Sequence, residues 1–418
     1  LSIDKFRLRF QRPEAEITMS SLPQSPDLPE WMSEGVDRFC NKIDALANPY
    51  PFRHPDDFDN YICLHQNDYL RLSARPEVLN AKSEAIRKEG NLFLASTVFV
   101  GGRGMEEHHA FRAQLADAMQ AEDAILTSSG WAANVGLLES ITKPGTPIYL
   151  DQRAHASLWD GARLSAGKPI MVRHNDPNYL ERRIKRDGAG IVCIDSFYSN
   201  TGSVADVAAY VDICERTNSV LILDEAHSLV VVGQGGGGLA VETGVAERIH
   251  FRTASFSKAM GGHGGCIVAS RQLVWFLTHR AHSIVFSSSA LACDAAAHRT
   301  AFSIARAEPH LGRHTLEMGA LLRQELAERG IDTGTSGCQI VPIEFNDEQI
   351  ASSFYLHMRE RGVLTSVFLA PTVPDGTSLI RFSTHSELSA AEVVKAADAA
   401  AEVMDLLGLR REAKKAAA

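Results

Sequence analysis

From about Tyr61 onward the chain alternates short apolar runs with helix-patterned stretches of about ten residues or more, and this rhythm limits the possible folds more than any other feature. The runs lie at 124–127, 147–150, 190–194, 219–223, 249–254 and 266–269, and several are apolar on both faces. A strand of that kind must be covered by helices above and below, which is the condition of a parallel sheet. The link between the last two runs is too short for a helical crossover. That pair is expected to be antiparallel and the sheet mixed.

The 418 residues, 45% of them hydrophobic, exceed what one small core needs, so a large domain with a smaller companion is expected. Residues 1–60 are rich in proline, hold one amphipathic helix around 31–46, and read as an N-terminal arm. Residues 61–305 carry the strand–helix alternation. Residues 306–418 turn helical, with Met318, Leu322 and Leu326 four apart and Gly330 as a stop signal. Strands near 340–345 and 379–383 and a last helix over 389–407 complete a smaller α+β domain, and 414–418 should fray. No internal repeat is present.

The net charge of -9 argues against a polyanion as the main partner, so nucleic acid is not expected. Seven cysteines, scattered and never spaced as C-x-x-C, suit reduced thiols in a cytoplasm and suggest no metal site. Apolar stretches such as 219–223 and 229–232 are too short to cross a bilayer, and no signal-peptide core opens the sequence. The expectation is a soluble cytoplasmic protein with no membrane partner.

Four segments at predicted strand ends carry chemistry. Leu221-Ile222-Leu223-Asp224-Glu225-Ala226-His227 puts an acid at the carboxyl end of a buried strand, where open α/β sheets bind ligands. The same letters match a helicase Walker-B box, but the phosphate loop that reading needs is missing from the sequence. Thr253-Ala254-Ser255-Phe256-Ser257-Lys258-Ala259-Met260-Gly261-Gly262 sets a lysine among small residues. Alone it reads as a solvated charge. With Asp224 one strand earlier it also suits Schiff-base chemistry, which needs a lysine of lowered pKa and an acid for a pyridine nitrogen. Thr127-Ser128-Ser129-Gly130-Trp131-Ala132-Ala133-Asn134 breaks a strand and opens a helix, which is either a simple cap or a phosphate cradle. Gly233-x-Gly235-x-x-Gly238 fits a dinucleotide fingerprint formally but reads as a flexible turn. His155, within Asp151-Gln152-Arg153-Ala154-His155, is either a core histidine or a ring facing a cofactor.

Taken in order, these segments resemble the α-oxoamine synthases, fold-type I pyridoxal-phosphate enzymes that include aminolevulinate, amino-oxononanoate and serine palmitoyl synthases. The resemblance runs from Asn67-Asp68-Tyr69-Leu70 to Leu379-Ile380-Arg381-Phe382-Ser383. It implies an α/β fold of the aspartate aminotransferase type, with a mixed, mostly parallel sheet. It further implies that Lys258 carries pyridoxal 5′-phosphate as a Schiff base and that Asp224 keeps the pyridine nitrogen protonated. His227 and Ser199 would lie near the ring oxygen and His155 on the ring face. Ser129, Gly130, Trp131 and Ser255 would hold the phosphate, with Ser287 or Ser288 reaching in from the second subunit of a homodimer. Arg381, with Asn67 beside it, would clamp the carboxylate of an amino-acid substrate. Lys258 would take the α-proton before attack on an acyl-CoA and loss of CoA.

One stretch departs from the common pattern. Where most members are rich in glycine and serine, this chain reads Asn91-Leu92-Phe93-Leu94-Ala95-Ser96-Thr97-Val98-Phe99. With Trp131 and Trp159, that run is more similar to the CqsA-type quorum-sensing autoinducer synthases and implies a medium-chain acyl donor. The alternatives are a housekeeping synthase of the amino-oxononanoate or glycine C-acetyltransferase type, an aminotransferase, and a non-catalytic binding protein on the same fold.

Overall fold

Alternate residues of the central strands enter two different cores, which is why their sequences are apolar on both faces. Ile148 and Leu150, Ile191 and Cys193, and Ile222 pack in one cluster; Tyr149, Val192, Ile194, Leu221 and Leu223 pack in the other. Each fully buried aliphatic side chain of this kind stabilises the fold by about 1.5–3 kcal/mol. The computed structural model describes residues 29–44, 58, 60–90, 105–370, 372–373 and 376–409. Residues 50–418 form one compact unit. Of the separate unit 1–49, the described part is the helix Glu30–Asp44, close to the span expected, with Met32, Val36 and Phe39 exposed.

The strands in chain order are β1 (Ile62–Cys63), β2 (Asp123–Thr127), β3 (Pro147–Asp151), β4 (Lys168–Val172), β5 (Ile191–Asp195), β6 (Val220–Asp224), β7 (Phe251–Ser255), β8 (Gly265–Ala269), β9 (Ile340–Phe345), β10 (Val363–Leu364), β11 (Ser366–Phe368) and β12 (Ser378–Ser383). Strands β2 to β8 form a seven-stranded sheet in the order β2-β8-β7-β6-β5-β3-β4. Strand β8 runs antiparallel to both neighbours and the remaining pairs are parallel, so the sheet is mixed as expected. All six expected runs are strands of it. The seventh, β4, was not expected: Lys168, Pro169 and Met171 face outward on an edge strand, and only Ile170 and Val172 are buried. An edge strand tolerates proline and polar residues, so it leaves no continuous apolar signal.

Helices Gly130–Ile141, Ala156–Leu164, Pro177–Asp187 and Val207–Arg216 link the strands, each opened by a side-chain cap at Ser129, His155, Asp176 or Asp206. Toward the C-terminus, β11, β12 and β9 make an antiparallel sheet in which Arg381 faces Pro342 and Ser366, and β1 pairs with β10. The last helix, Ala390–Leu406, begins with a capping box between Ser389 and Glu392. Gly330, with φ of 74°, follows the helix His310–Glu328 as its stop signal suggested. The bulky run 91–99 and the tail 414–418 lie outside the described residues. Among the described residues no helix is long and apolar enough to cross a membrane, and no group of side chains is arranged to hold a metal ion.

Candidate active site

The register of the sheet sets Asp195 and Asp224 side by side at the carboxyl ends of β5 and β6, with Thr253 of β7 next to Asp224, and brings Ser255 at the end of β7 beside Gly265 and Gly265 beside Thr127. These ends open into a cavity of about 200 Å³, which the first turn of the helix Gly130–Ile141 also lines. The first-turn amides of a helix have no acceptor within it, and they face an anion favourably. Ser129 caps this helix, its Oγ accepting from the Ala132 amide at 3.0 Å, and it lines the cavity as well. The close seat of the helix on the sheet requires glycine. A Cβ on Gly130 would lie 2.8 Å from Ser255 Cβ, and one on Gly265 would lie 2.6 Å from the Gly130 nitrogen.

Asp224 is buried and held on both oxygens. Asn134 Nδ2 donates to its Oδ2 at 2.6 Å, and the Ala226 amide donates to Oδ1 at 2.8 Å. Asn134 is itself fixed, because Thr253 Oγ1 donates to its Oδ1 at 2.7 Å and its amide also donates to Ser157 Oγ at 2.9 Å. Ser157 Oγ lies 2.7 Å from His155 Nδ1, which also accepts from the Ser157 amide at 3.3 Å, so the ring proton belongs on Nε2. Asp195 accepts from the His155 amide at 3.2 Å. Burial, and then the charge of Asp224 beside it, hold Asp195 well above the usual carboxylate range.

Lys258 follows β7 in a tight turn closed by the Gly261 amide donating to its carbonyl at 2.8 Å. Burial pulls its pKa down to about 8 and Arg381 acts in the same direction, while Asp224 opposes both. An amine so placed is partly neutral near pH 7 and therefore nucleophilic. Ser255 and Ser257 pair through their hydroxyls at 2.8 Å beside it.

A second group adjoins the cavity. His227 lines it and is buried. Tyr69 Oη lies 2.7 Å from His227 Nδ1 and 3.2 Å from Asn67 Oδ1. Arg381 Nη2 donates to the same Asn67 oxygen at 2.9 Å, and its Nη1 donates to the Ser199 carbonyl at 3.0 Å. The guanidinium sits 4.7 Å from the centre of the Phe368 ring, and its buried Nε has no hydrogen-bond partner among the described residues.

Of the expected site residues, Ser129, Gly130, Trp131, His155, Asp224, His227, Ser255 and Lys258 line the one cavity, and Asn67, Ser199 and Arg381 form the adjoining cluster. Ser287 and Ser288 do not line this chain's cavity. Trp131 stands edge-on to His155 at 6.0 Å and is 45% exposed, whereas Trp159 packs against the core beside the sheet. The glycine run after β6 is a turn around Glu225: a Cβ on Gly238 would lie 2.5 Å from Glu225 Oε1, and Glu225 pairs with buried Arg252 at 3.6 Å. That turn is no part of the cavity. Asn134, Ser157, Asp195, Thr253 and Tyr69 were not expected in the site. Only Asn134 carried a usable signal, four residues after Gly130 and so on the same face of the helix.

Residues 59–399 match the aminotransferase class I and II family. The chain belongs to that family, within the pyridoxal-phosphate-dependent α-oxoamine synthases. Over 90% of its length, and 95% of the relative's, it is 29% identical to the CAI-1 autoinducer synthase of Vibrio campbellii. It is 33% identical to the 8-amino-7-oxononanoate synthase of Geobacter sulfurreducens, over 83% of this chain and 90% of that one. Serine palmitoyltransferase from Sphingomonas wittichii has the same fold, with a TM-score of 0.83 at 23% identity over 93% of this chain and all of that one. The cofactor of the synthase is pyridoxal phosphate, and the cavity fits it. A lysine of lowered pKa, a buried and hydrogen-bonded aspartate, and a glycine-seated helix terminus are the three groups that an aldehyde, a pyridine nitrogen and a phosphate require.

Proposed function

We propose that this synthase condenses an amino acid with a medium-chain acyl-CoA to give an α-aminoketone, the precursor of a quorum-sensing signal. Lys258 and Asp224 in one cavity, with Arg381 joined to His227 through Asn67 and Tyr69, is the observation that carries the chemistry. Lys258 holds the cofactor and then takes the substrate's α-proton. Asp224, steadied by Asn134, keeps the pyridine nitrogen protonated. Gly130, Trp131, Ser129 and Ser255 would hold the phosphate, His155 would lie against the ring, and His227 and Ser199 would serve its oxygen. Arg381 and Asn67 receive the substrate carboxylate, and the orphaned Nε of Arg381 supports that role. When bound, pyridoxal phosphate takes up the electron pair left at the α-carbon.

Full-length similarity to an autoinducer synthase supports the signal-synthase reading, and Trp131 at the cavity supports an apolar acyl path. Trp159, packed in the core, takes no part in that path. Similarity to an 8-amino-7-oxononanoate synthase favours a housekeeping role instead. A kinetic series of straight-chain acyl-CoAs with alanine or 2-aminobutyrate separates the two, because each methylene buried in an apolar path adds about 0.8 kcal/mol of binding. A steep rise of kcat/KM toward medium chains supports the proposal, and a flat profile or one peaking at acetyl-CoA returns the protein to the short-chain synthases.

A further inference from the structure

Tyr69 belongs to neither the cavity wall nor the carboxylate cluster, yet it is the side chain that joins them. It is fully buried, and its carbonyl is fixed by the Thr315 hydroxyl at 3.0 Å and the Ser386 amide at 2.9 Å. Its single phenolic proton has two acceptors in reach, His227 Nδ1 at 2.7 Å and Asn67 Oδ1 at 3.2 Å. Asn67 Oδ1 already accepts from Arg381. The His227 carbonyl is held by Gln339 Nε2 at 2.8 Å, so the ring is anchored at its backbone as well.

We infer that Tyr69 is a positioning residue that sets the tautomer of His227: by donating to Nδ1 it puts the imidazole proton on Nε2, the nitrogen left for the cavity. A neutral imidazole carries one ring proton, and the hydrogen bond at one nitrogen decides which nitrogen bears it. His227 is neutral here. Burial, then the charges of Lys258 and Arg381 and the neighbouring His155, push its pKa well below the ordinary value. Burial also pushes the Tyr69 phenol up, so it keeps the proton it donates. Asp224, Asp195 and His263 line the same cavity as the ring. If the phenol turned to Asn67 instead, His227 Nδ1 would donate to Tyr69 and Nε2 would become a bare acceptor. Tyr69 therefore decides whether His227 offers the cofactor a donor or an acceptor.

This inference rests on the proposed place of His227 beside the cofactor, and a double-mutant cycle separates the two claims. The readout is the pH midpoint of the bound cofactor's visible absorbance in the holoenzyme, for wild type, Tyr69→Phe, His227→Asn and the double variant. Cofactor stoichiometry serves as the check on folding. The expected result is a midpoint shift of about half a unit to one unit in Tyr69→Phe, the size of one hydrogen bond, that disappears in the His227→Asn background. A shift in His227→Asn with none in Tyr69→Phe, or with equal Tyr69→Phe shifts in both backgrounds, overturns the Tyr69 inference and leaves the His227 reading standing. An unmoved midpoint in His227→Asn removes His227 from the cofactor and the Tyr69 inference with it.

Discussion

Asn134 donates to Oδ2 of Asp224 at 2.6 Å while its own carbonyl oxygen accepts from Thr253, so the acid at the end of β6 is oriented by an amide that cannot rotate freely. A hydrogen bond to a charged group is worth about 1.5–3 kcal/mol. Asn134→Ala is expected to weaken cofactor binding by about ten-fold to a hundred-fold with little change in overall fold. Titration of the apoprotein with pyridoxal phosphate, followed by absorbance, measures it; unchanged affinity would show that Asp224 needs no clamp.

Asp224→Asn should keep bound cofactor yet lose activity on the order of a hundred- to a thousand-fold, because an amide cannot hold a pyridine nitrogen protonated. Steady-state rates and cofactor content of the purified variant decide this. Near wild-type turnover would take Asp224 out of the site.

Lys258 loses its proton at about 8, well below the ordinary 10.5, because burial and Arg381 both disfavour the charged amine. The neutral amine is the nucleophile. The rate at which apoprotein captures pyridoxal phosphate covalently should therefore rise with pH and level off above about 8. Borohydride should fix the cofactor to the peptide bearing Lys258, and Lys258→Ala should fold but neither capture it nor turn over. Labelling of a different lysine would end the assignment.

Phe286 is 80% exposed and directly precedes Ser287 and Ser288, which do not line this chain's own cavity, and Trp275 is 69% exposed. Large apolar side chains left in water point to a covering partner. A homodimer is expected in sedimentation velocity, and Phe286→Asp should shift it toward monomer and lower the rate together. A fully active wild-type monomer would contradict the shared site.

The central sheet was legible because its strands are buried on both faces, and the ends that carry Asp224, Lys258 and Ser129 follow those strands within a few residues. The edge strand β4 left no such trace, since half of it faces water. Lys258, Asp224 and the Ser129-Gly130 turn could be singled out from sequence because each is a local pattern: an acid after an apolar run, a lysine among small residues, and a cap before a helix.

What joins these residues could not be read in the same way. Asn134 and Asp224 are 90 positions apart, Tyr69 and His227 are 158 apart, and Asn67 and Arg381 are 314 apart. Hydrogen bonds of that separation depend on strand register and helix seating, which no local periodicity encodes. The raised pKa of Asp195 is likewise a consequence of burial beside a second carboxyl, and it exists only once β5 and β6 pair. The sequence by itself singled out candidate side chains for chemistry and the strand ends at which they sit. The tertiary structure decided which of them touch, which proton each one holds, and which neutral residues hold them in place, because those are properties of distance and dielectric rather than of order along the chain.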